Sequence, residues 1–250
     1  MTSYTQILAV VAALTAPQEP APARADVPWQ VGERLEYQVK FSAFSVGRGS
    51  MEVVGVEQVR GRETWHIQFE VKGRALFYDY SNIMQSWMDV ATLSSLRYHQ
   101  DGDENGRDRI KKWEIFPEKK TFIEETATGD AAGEKPSVEN PLDDGSFLYF
   151  VRTVPLEVGQ TYEFNRYFRP DRNPVTIKVL RKERVKVPAG TFDAIVIQPI
   201  IKSRGIFSEG GKAQIWLKDD PSRIMLQMKS SLSIGSINLF LRSYRPTAGS

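Results

Sequence analysis

Cysteine is absent from this 250-residue chain, and histidine occurs only twice, at His66 and His99. Without thiols there is no disulfide framework, no thiolate nucleophile and no cysteine to carry a lipid anchor. Two histidines without cysteine do not assemble a zinc or copper site, so neither a metal nor a cofactor is expected. A Gly-x-Ser-x-Gly elbow, a phosphate-binding glycine loop and a dinucleotide fingerprint are missing too. The 33 basic and 31 acidic residues nearly cancel, and a net charge of +2 gives no general attraction for nucleic acid. Long apolar runs are also lacking. The run Ile7 to Leu14 would give about 12 Å of helix against a hydrocarbon core of roughly 30 Å, so no integral membrane span is expected.

That short run leads into a Pro/Ala-rich stretch ending in Ala23-Arg24-Ala25, the A-x-A form of a signal-peptidase site. Residues 1–25 therefore read as a removed signal peptide, although Met1 to Gln6 lacks the usual Lys or Arg. The alternative is a disordered Ala/Pro-rich tail. With the first reading, the mature protein is soluble, exported and periplasmic.

The second half of the chain echoes the first. Val31-Gly32-Glu33-Arg34-Leu35-Glu36-Tyr37 returns as Val158-Gly159-Gln160-Thr161-Tyr162-Glu163-Phe164. Val71-Lys72-Gly73-Arg74-Ala75-Leu76-Phe77 returns as Ile201-Lys202-Ser203-Arg204-Gly205-Ile206-Phe207, and Ser86-Trp87-Met88-Asp89 as Ile215-Trp216-Leu217-Lys218-Asp219. The offsets are 127, 130 and 129, so order and spacing are kept at three landmarks. The expected organisation is a first β repeat over 26–125, a linker loop and helix over 126–157, a second β repeat over 158–245 and a tail at 246–250, with both repeats in one structural domain.

Period-two alternation dominates both halves. In Thr64 to Lys72 the apolar residues are odd-numbered and the polar ones even, the pattern of a half-buried antiparallel strand. Similar stretches at Arg34–Phe41, Ser50–Val56, Arg109–Phe116, Val175–Val179, Phe192–Ile200, Arg223–Ser231 and Ser236–Tyr244 predict an all-β meander. One helix is predicted over Asp143–Val154, capped by Asp143 or Asp144 and stopped by Pro155, with Phe147, Phe150, Val151 and Val154 on one face. Two arrangements bury the apolar faces: one large curved antiparallel sheet or half-barrel with the helix in its concavity, or two small barrels side by side. The first is favoured, and its interior is either open to a ligand or filled by side chains. Charges spread through nearly every strand argue against an outer-membrane barrel.

The same landmarks carry a resemblance. Val-Gly-Glu-x-Leu-x-Tyr, Val46-Gly47-Arg48-Gly49, Gln85-Ser86-Trp87-Met88-Asp89 with Leu96-Arg97, Val187-Pro188-Ala189-Gly190-Thr191-Phe192-Asp193 and Trp216-Leu217-Lys218-Asp219-Asp220 resemble the bacterial exported proteins grouped as domain of unknown function 3108, over roughly Trp29 to Tyr244. That family carries no established activity, so the resemblance transfers no catalytic residue. The Trp-x-x-Asp strand and turn are more weakly similar to periplasmic lipoprotein carriers, half-barrels with helices in the mouth, an analogy of shape alone.

Candidate site residues follow from two features. Apolar residues at matching hairpin tips, Phe77, Tyr78 and Tyr80 with Phe207, together with Trp87 and Trp216, are candidate ligand contacts; the alternative is that the tips cap the core. Lys178, Lys182, Arg184 and Lys186 share one side of a strand, with Arg107, Arg109, Lys111 and Lys112 in another segment, and are candidate contacts for anionic headgroups or else a solvated face. No catalytic residue stands out: Asp219-Asp220-Pro221 reads as a turn, and Asp143-Asp144 as a helix start. His66, beside Gln68 and Glu70, reads as solvated. Three functions remain open: a non-enzymatic carrier of a lipid or other amphiphile, a scaffold that docks an envelope protein, and a hydrolase of envelope glycans or lipids.

Overall fold

The computed structural model describes residues 23–42, 44–75, 78–104, 106–125, 132–202, 213–231 and 236–245. The alternating stretches fold as strands. In the first half these are β1 (Arg34–Phe41), β2 (Phe44–Val59), β3 (Arg62–Ala75), β4 (Tyr78–Asp89), β5 (Ser95–Glu104), β6 (Asp108–Phe116), β7 (Thr121–Glu125) and β8 (Lys135–Pro136). Helix α1 (Asp144–Phe150) and a 3-10 turn (Val151–Thr153) follow. The second half supplies β9 (Thr161–Phe164), β10 (Val175–Val187), β11 (Gly190–Ile200), β12 (Gln214–Lys218), β13 (Met225–Ser231) and β14 (Ser236–Arg245).

All 14 strands join one antiparallel sheet in the order β8-β7-β6-β5-β4-β3-β2-β1-β14-β13-β12-β11-β10-β9. The first strand of one meander thus pairs with the last strand of the other, Leu35 opposite Tyr244 and Val39 opposite Leu239. The favoured single sheet forms, and the two-barrel alternative does not. The sheet curls without closing: Phe168, between β9 and β10, brings its ring to 5.9 Å from Trp113 of β6 and 5.2 Å from Phe122 of β7. Gly47 and Gly73 pair directly where β2 and β3 press together. A Cβ on Gly47 would overlap the Lys72 carbonyl, and one on Gly73 would stand 2.7 Å from the Val46 carbonyl, so this approach requires glycine.

The two meanders match in backbone detail. Gly32 and Gly159 have φ of 87° and 86°. Gly32 N–H donates to Val53 O and Val53 N–H to Glu33 O; Gly159 N–H donates to Val179 O and Val179 N–H to Gln160 O. Both second strands slip register at the next residue, between Val53 and Gly55 and between Val179 and Arg181. A second slip falls at Trp87/Met88 and at Trp216/Leu217.

Helix α1 spans the inner face near one set of strand ends. Gly145 to Phe150 are all buried, which suits a helix apolar on nearly every side. The chain turns extended at Val154 (φ −77°, ψ 142°), as a residue preceding proline prefers. Just beyond α1, Arg152 is enclosed, with 1% of its side chain exposed. It binds Glu33 through both carboxylate oxygens (2.6 and 2.9 Å), donates to Pro28 O (3.0 Å) and Ser222 O (2.8 Å), and lies 5.4 Å from the ring centres of Trp29 and Tyr149. One side chain thus ties the linker to the entry of β1 and to the β12–β13 turn.

Removing one partner of such a buried pair leaves the other charge without compensation, at a cost of about 3–5 kcal/mol. Arg152→Met should therefore lower unfolding stability by that amount in urea titrations. Adding Glu33→Gln should recover part of the loss; full additivity of the two costs would show that the pair is not coupled.

Candidate functional site

Alternation along the first-half strands decides what lines the interior. On β4, Tyr80, Asn82, Met84, Ser86 and Met88 share one parity, and Ser86 and Met88 lie fully inside. Tyr98 and Gln100 on β5 and Lys111 and Trp113 on β6 are register partners of that set. With Phe69 and Val71 of β3, and Met228, Ile237 and Leu239 across the seam, they line a cavity of about 370 Å³. Tyr167, Phe168, Arg169 and Arg172 from the β9–β10 connection, and Asp144 at the start of α1, complete the wall. A smaller hollow of about 110 Å³ shares Tyr80, Asn82, Gln100 and Lys111 and extends to Gly102 and Arg109.

The floor is apolar and aromatic, with Tyr98 stacked on Trp113 at 5.1 Å. The rest of the wall is polar. Tyr167 Oη donates to Asp144 Oδ1 (3.1 Å) and accepts from Arg172 Nη1 (3.1 Å). Burial pushes the Asp144 carboxyl up, against the Tyr167 hydrogen bond and the charges of Arg172, Arg169 and Lys111. The Tyr167 and Tyr98 phenols are likewise held above the ordinary tyrosine range by burial.

Asp143 fixes the helix that bounds this cavity. Its Oδ1 accepts from Ser86 Oγ (2.5 Å) and from the N–H groups of Gly145 and Ser146 (2.8 Å each). Its own N–H donates to Ser146 Oγ (2.9 Å), which lies 2.7 Å from Ser95 Oγ. This capping box is bolted to β4 and β5 by Ser86 and Ser95. Oδ2 has no hydrogen-bond partner among the described residues.

The candidate residues do not converge on one site. Tyr80 lines the cavity. Phe77 and Phe207 lie outside the described residues, and for Tyr78 the description is limited to its backbone pairing with Ala75. Trp87 and Trp216 have the opposite parity from the cavity wall and face the outer side of the sheet. Trp87 Nε1 donates to Glu57 Oε2 (2.7 Å), its ring stacks on His66 at 4.5 Å, and Arg97 lies 5.5 Å away. Trp216 Nε1 donates to Glu183 Oε1 (2.5 Å), with Lys229 at 5.2 Å from the ring. These indoles are structural pins of the two repeats and do not line the cavity. The indole bond is also the main reason that Glu57 sits below the usual carboxylate range. His66 is not solvated as expected: it is buried between Glu57 (2.8 Å) and Gln85 (3.1 Å).

Lys178, Lys182, Arg184 and Lys186 are exposed on β10, away from the cavity. The four do not share one side as expected: the register slip between Val179 and Arg181 puts Lys178 on the opposite face from Lys182, Arg184 and Lys186, while Val185 and Phe192 pack against the core and Ala189 N–H donates to Leu241 O (3.0 Å). Lys182 pairs with Asp219 (2.8 Å) and Arg184 with Asp193 (3.9 Å). The cations at the cavity are Lys111, Arg169 and Arg172 instead. Lys111 belongs to the second basic segment of the sequence. The two arginines sit in a connection without periodicity, and their only signal was the charge cluster Arg169-Pro170-Asp171-Arg172.

Burial pushes Asp143 up to about 6 from an ordinary 3.8, outweighing the bonds from Ser86, Ser146 and Ser95. A folded-state value above the unfolded one favours the fold below about pH 4, and that contribution is lost as pH rises through about 6. Asp143→Asn keeps a cap acceptor and removes the titration. Relative to this variant, the wild type should lose about 3 kcal/mol between roughly pH 4 and 7.5, read from urea titrations at both values; a constant difference would show that Asp143 does not titrate there.

Among the described residues, no helix is long and apolar enough to cross a membrane, and no three His, Asp or Glu side chains are placed to hold a metal ion. A search of curated proteins found no match. The fold is similar to a beta-barrel-like protein of domain of unknown function DUF1849 from Brucella abortus, with a TM-score of 0.53 and 10% identity over 86% of this chain and 98% of that one. More distant likenesses are a candidate lipoprotein from Parabacteroides distasonis (TM-score 0.33, 11% identity, 88% and 97% coverage) and a candidate exported protein with a YmcC-like fold from Bacteroides fragilis (0.32, 12%, 89% and 100%). The family model for a protein of unknown function, DUF3108, matches residues 36–242, from β1 through β14. On that match, the chain belongs to the DUF3108 family.

Proposed function

We propose that this protein is an exported, periplasmic binding protein that holds an apolar or amphipathic envelope molecule in the cavity of its curled sheet. The observation that carries this reading is the cavity itself: about 370 Å³, with aromatic and aliphatic side chains on its floor and Asn82, Gln100, Lys111, Arg169 and Arg172 on its wall. Ligand pockets of roughly 300–1,000 Å³ are mostly apolar with a few placed polar groups. Export is supported by the short apolar run and the Ala23-Arg24-Ala25 site. A hydrolase reading has less support, because the buried Asp143 carboxyl is engaged in the helix cap through Oδ1 and His99 lies on the outer face beside Trp87.

Native mass spectrometry of the processed protein, isolated from the periplasm without detergent, tests this reading. The expected result is an adduct with the mass of an envelope amphiphile, released by solvent extraction. Met84→Trp, which fills the cavity from β4, should weaken binding of a fluorescent fatty-acid probe at least about tenfold. Trp87→Phe on the outer face should cost about 1–2 kcal/mol of stability through the lost indole bond to Glu57 Oε2 and leave probe binding unchanged. Absence of both adduct and probe binding would sink the proposal.

A further inference from the structure

We infer that the molecule held in the cavity is anionic, a single-chain amphiphile whose phosphate or carboxylate group seats between Lys111, Arg169 and Arg172. This inference rests on the amphiphile reading above. Three cations and one carboxylate, Asp144, contribute to the same wall. Neither the Lys111 nor the Arg169 side chain has an ion-pair or hydrogen-bond partner among the described residues, and Arg172 gives one side-chain N–H to the neutral Tyr167 hydroxyl. Outward-facing cations on the same strands are treated differently: Arg97 of β5 is paired with Glu114, and Lys112 of β6 with Glu125. The Lys111 and Arg169 side chains are left available where those of Arg97 and Lys112 are neutralised.

The local backbone explains why the two arginines act together. Pro170–Arg172 is a 3-10 turn with Pro170 at its start and Arg169 as its N-cap. The extended Arg169 (φ −99°, ψ 111°) enters the turn and Arg172 ends it; both reach the cavity wall while Asp171 is exposed. Lys111 approaches from β6, so cations line the cavity from two elements. Guanidinium groups bind carboxylate and phosphate through paired N–H donors. Their counter-charge, Asp144, is already bonded to Tyr167 Oη, which stands between it and Arg172. Below the polar wall, Phe69, Met84 and Leu239 offer an apolar path. A volume near the lower limit of ligand pockets favours one acyl chain over two.

The test is calorimetric titration of the processed full chain with ligands that share a dodecyl chain and differ in head: dodecanoate, dodecyl phosphate, dodecyl maltoside and dodecyltrimethylammonium, with inorganic phosphate as the chain-free control. The anionic pair should bind at least about tenfold tighter than the neutral and cationic pair, with an advantage that shrinks as salt rises. Arg169→Gln with Arg172→Gln, and independently the exposed-site variant Lys111→Gln, should each remove about tenfold or more of the dodecyl phosphate affinity and leave dodecyl maltoside unchanged. Equal affinity for all four heads would overturn the anionic assignment and leave the amphiphile reading standing. No binding of any chain-bearing ligand would overturn both. Inorganic phosphate binding as tightly as dodecyl phosphate would identify a free-anion site and remove the acyl chain from the proposal.

Discussion

The pairing of β1 with β14 sets the terms for the rest of the molecule. It places β8 and β9 at opposite edges of the sheet, and the chain between them carries α1 onto the concave face, where it packs on β3 and β4. A crossing segment buried on that face has to satisfy its backbone internally or through partners, and a short helix does so for its middle but leaves both ends open. Each end has a specific remedy. Asp143, Ser86 and Ser95 close the start; at the other end Thr153 Oγ1 donates to Phe150 O (2.8 Å) and the Val151 N–H to the Phe147 and Tyr149 carbonyls, and just beyond it Arg152 gathers Glu33, Pro28 and Ser222. Glu33 and Ser86 lie within the residues that carry the family resemblance, and their partners in the fold explain why those short segments have the composition they do.

The duplicated framework and a cavity that belongs mainly to one half are reconciled by where the repeats differ. On the outer face the two halves solve one problem alike: a tryptophan covers the sheet, and its indole N–H finds a carboxylate from the second strand of the same meander, Glu57 or Glu183. A buried indole usually finds such a partner, and the contrast is inside, where Trp29, Trp65 and Trp113 have none among the described residues. On the inner face the halves diverge. Ser86, beside Trp87, bonds the helix cap, whereas its counterpart beside Trp216 is Ile215, fully buried in the core. Gly145 fits the same place because a Cβ there would lie 2.5 Å from Ser86 Oγ. The helix is thus held to one half, and the interior loses the symmetry of the framework around it.

Much of this was legible in the sequence. Strand alternation, the order of the three landmarks, the Asp143 cap and the Pro155 stop all follow from local chemistry, and each is determined within a few residues. Parity is also local, but which parity faces inward is not. Both faces of β4 carry large apolar groups, Met84 and Met88 on one and Trp87 on the other, so the pattern alone could not assign Trp87 to the outside. His66 was read as solvated for a related reason: its polar neighbours place it on the outer face, and nothing nearby in sequence announces that Trp87 and Glu57 cover it. The basic strip on β10 is not one strip, because a register slip after Val179 that no local pattern marks turns Lys178 to the face opposite Lys182, Arg184 and Lys186. Arg169 and Arg172 are illegible because their position depends on the curl of the sheet, on a contact between residues 46 apart, Phe122 and Phe168.

The cavity itself follows from a mismatch of lengths. A strand of 12 residues such as β4 spans about 40 Å, whereas a helix lying across the strands covers about 10 Å of that length. Helix α1 occupies the end marked by Glu33, Asp89 and Ser222, and there the space is filled by Trp29, Trp65 and Tyr149, packed edge to face. Toward the opposite strand ends, marked by Tyr80, Val71 and Ile237, no second helix crosses among the described residues, and side chains from one layer of strands cannot fill the interval alone. Burying more aromatic groups there would close it, as Trp29 and Tyr149 do at the other end. The sequence instead places Asn82, Gln100 and Lys111 at those positions of β4, β5 and β6. These groups are not stranded there: Gln100 Nε2 donates to Asn82 Oδ1 (3.2 Å) and Lys111 stays exposed to water, so they escape the cost of an unsatisfied buried polar group. Together with unpaired Arg169, they give this end of the curl the character of a site rather than of an imperfect core.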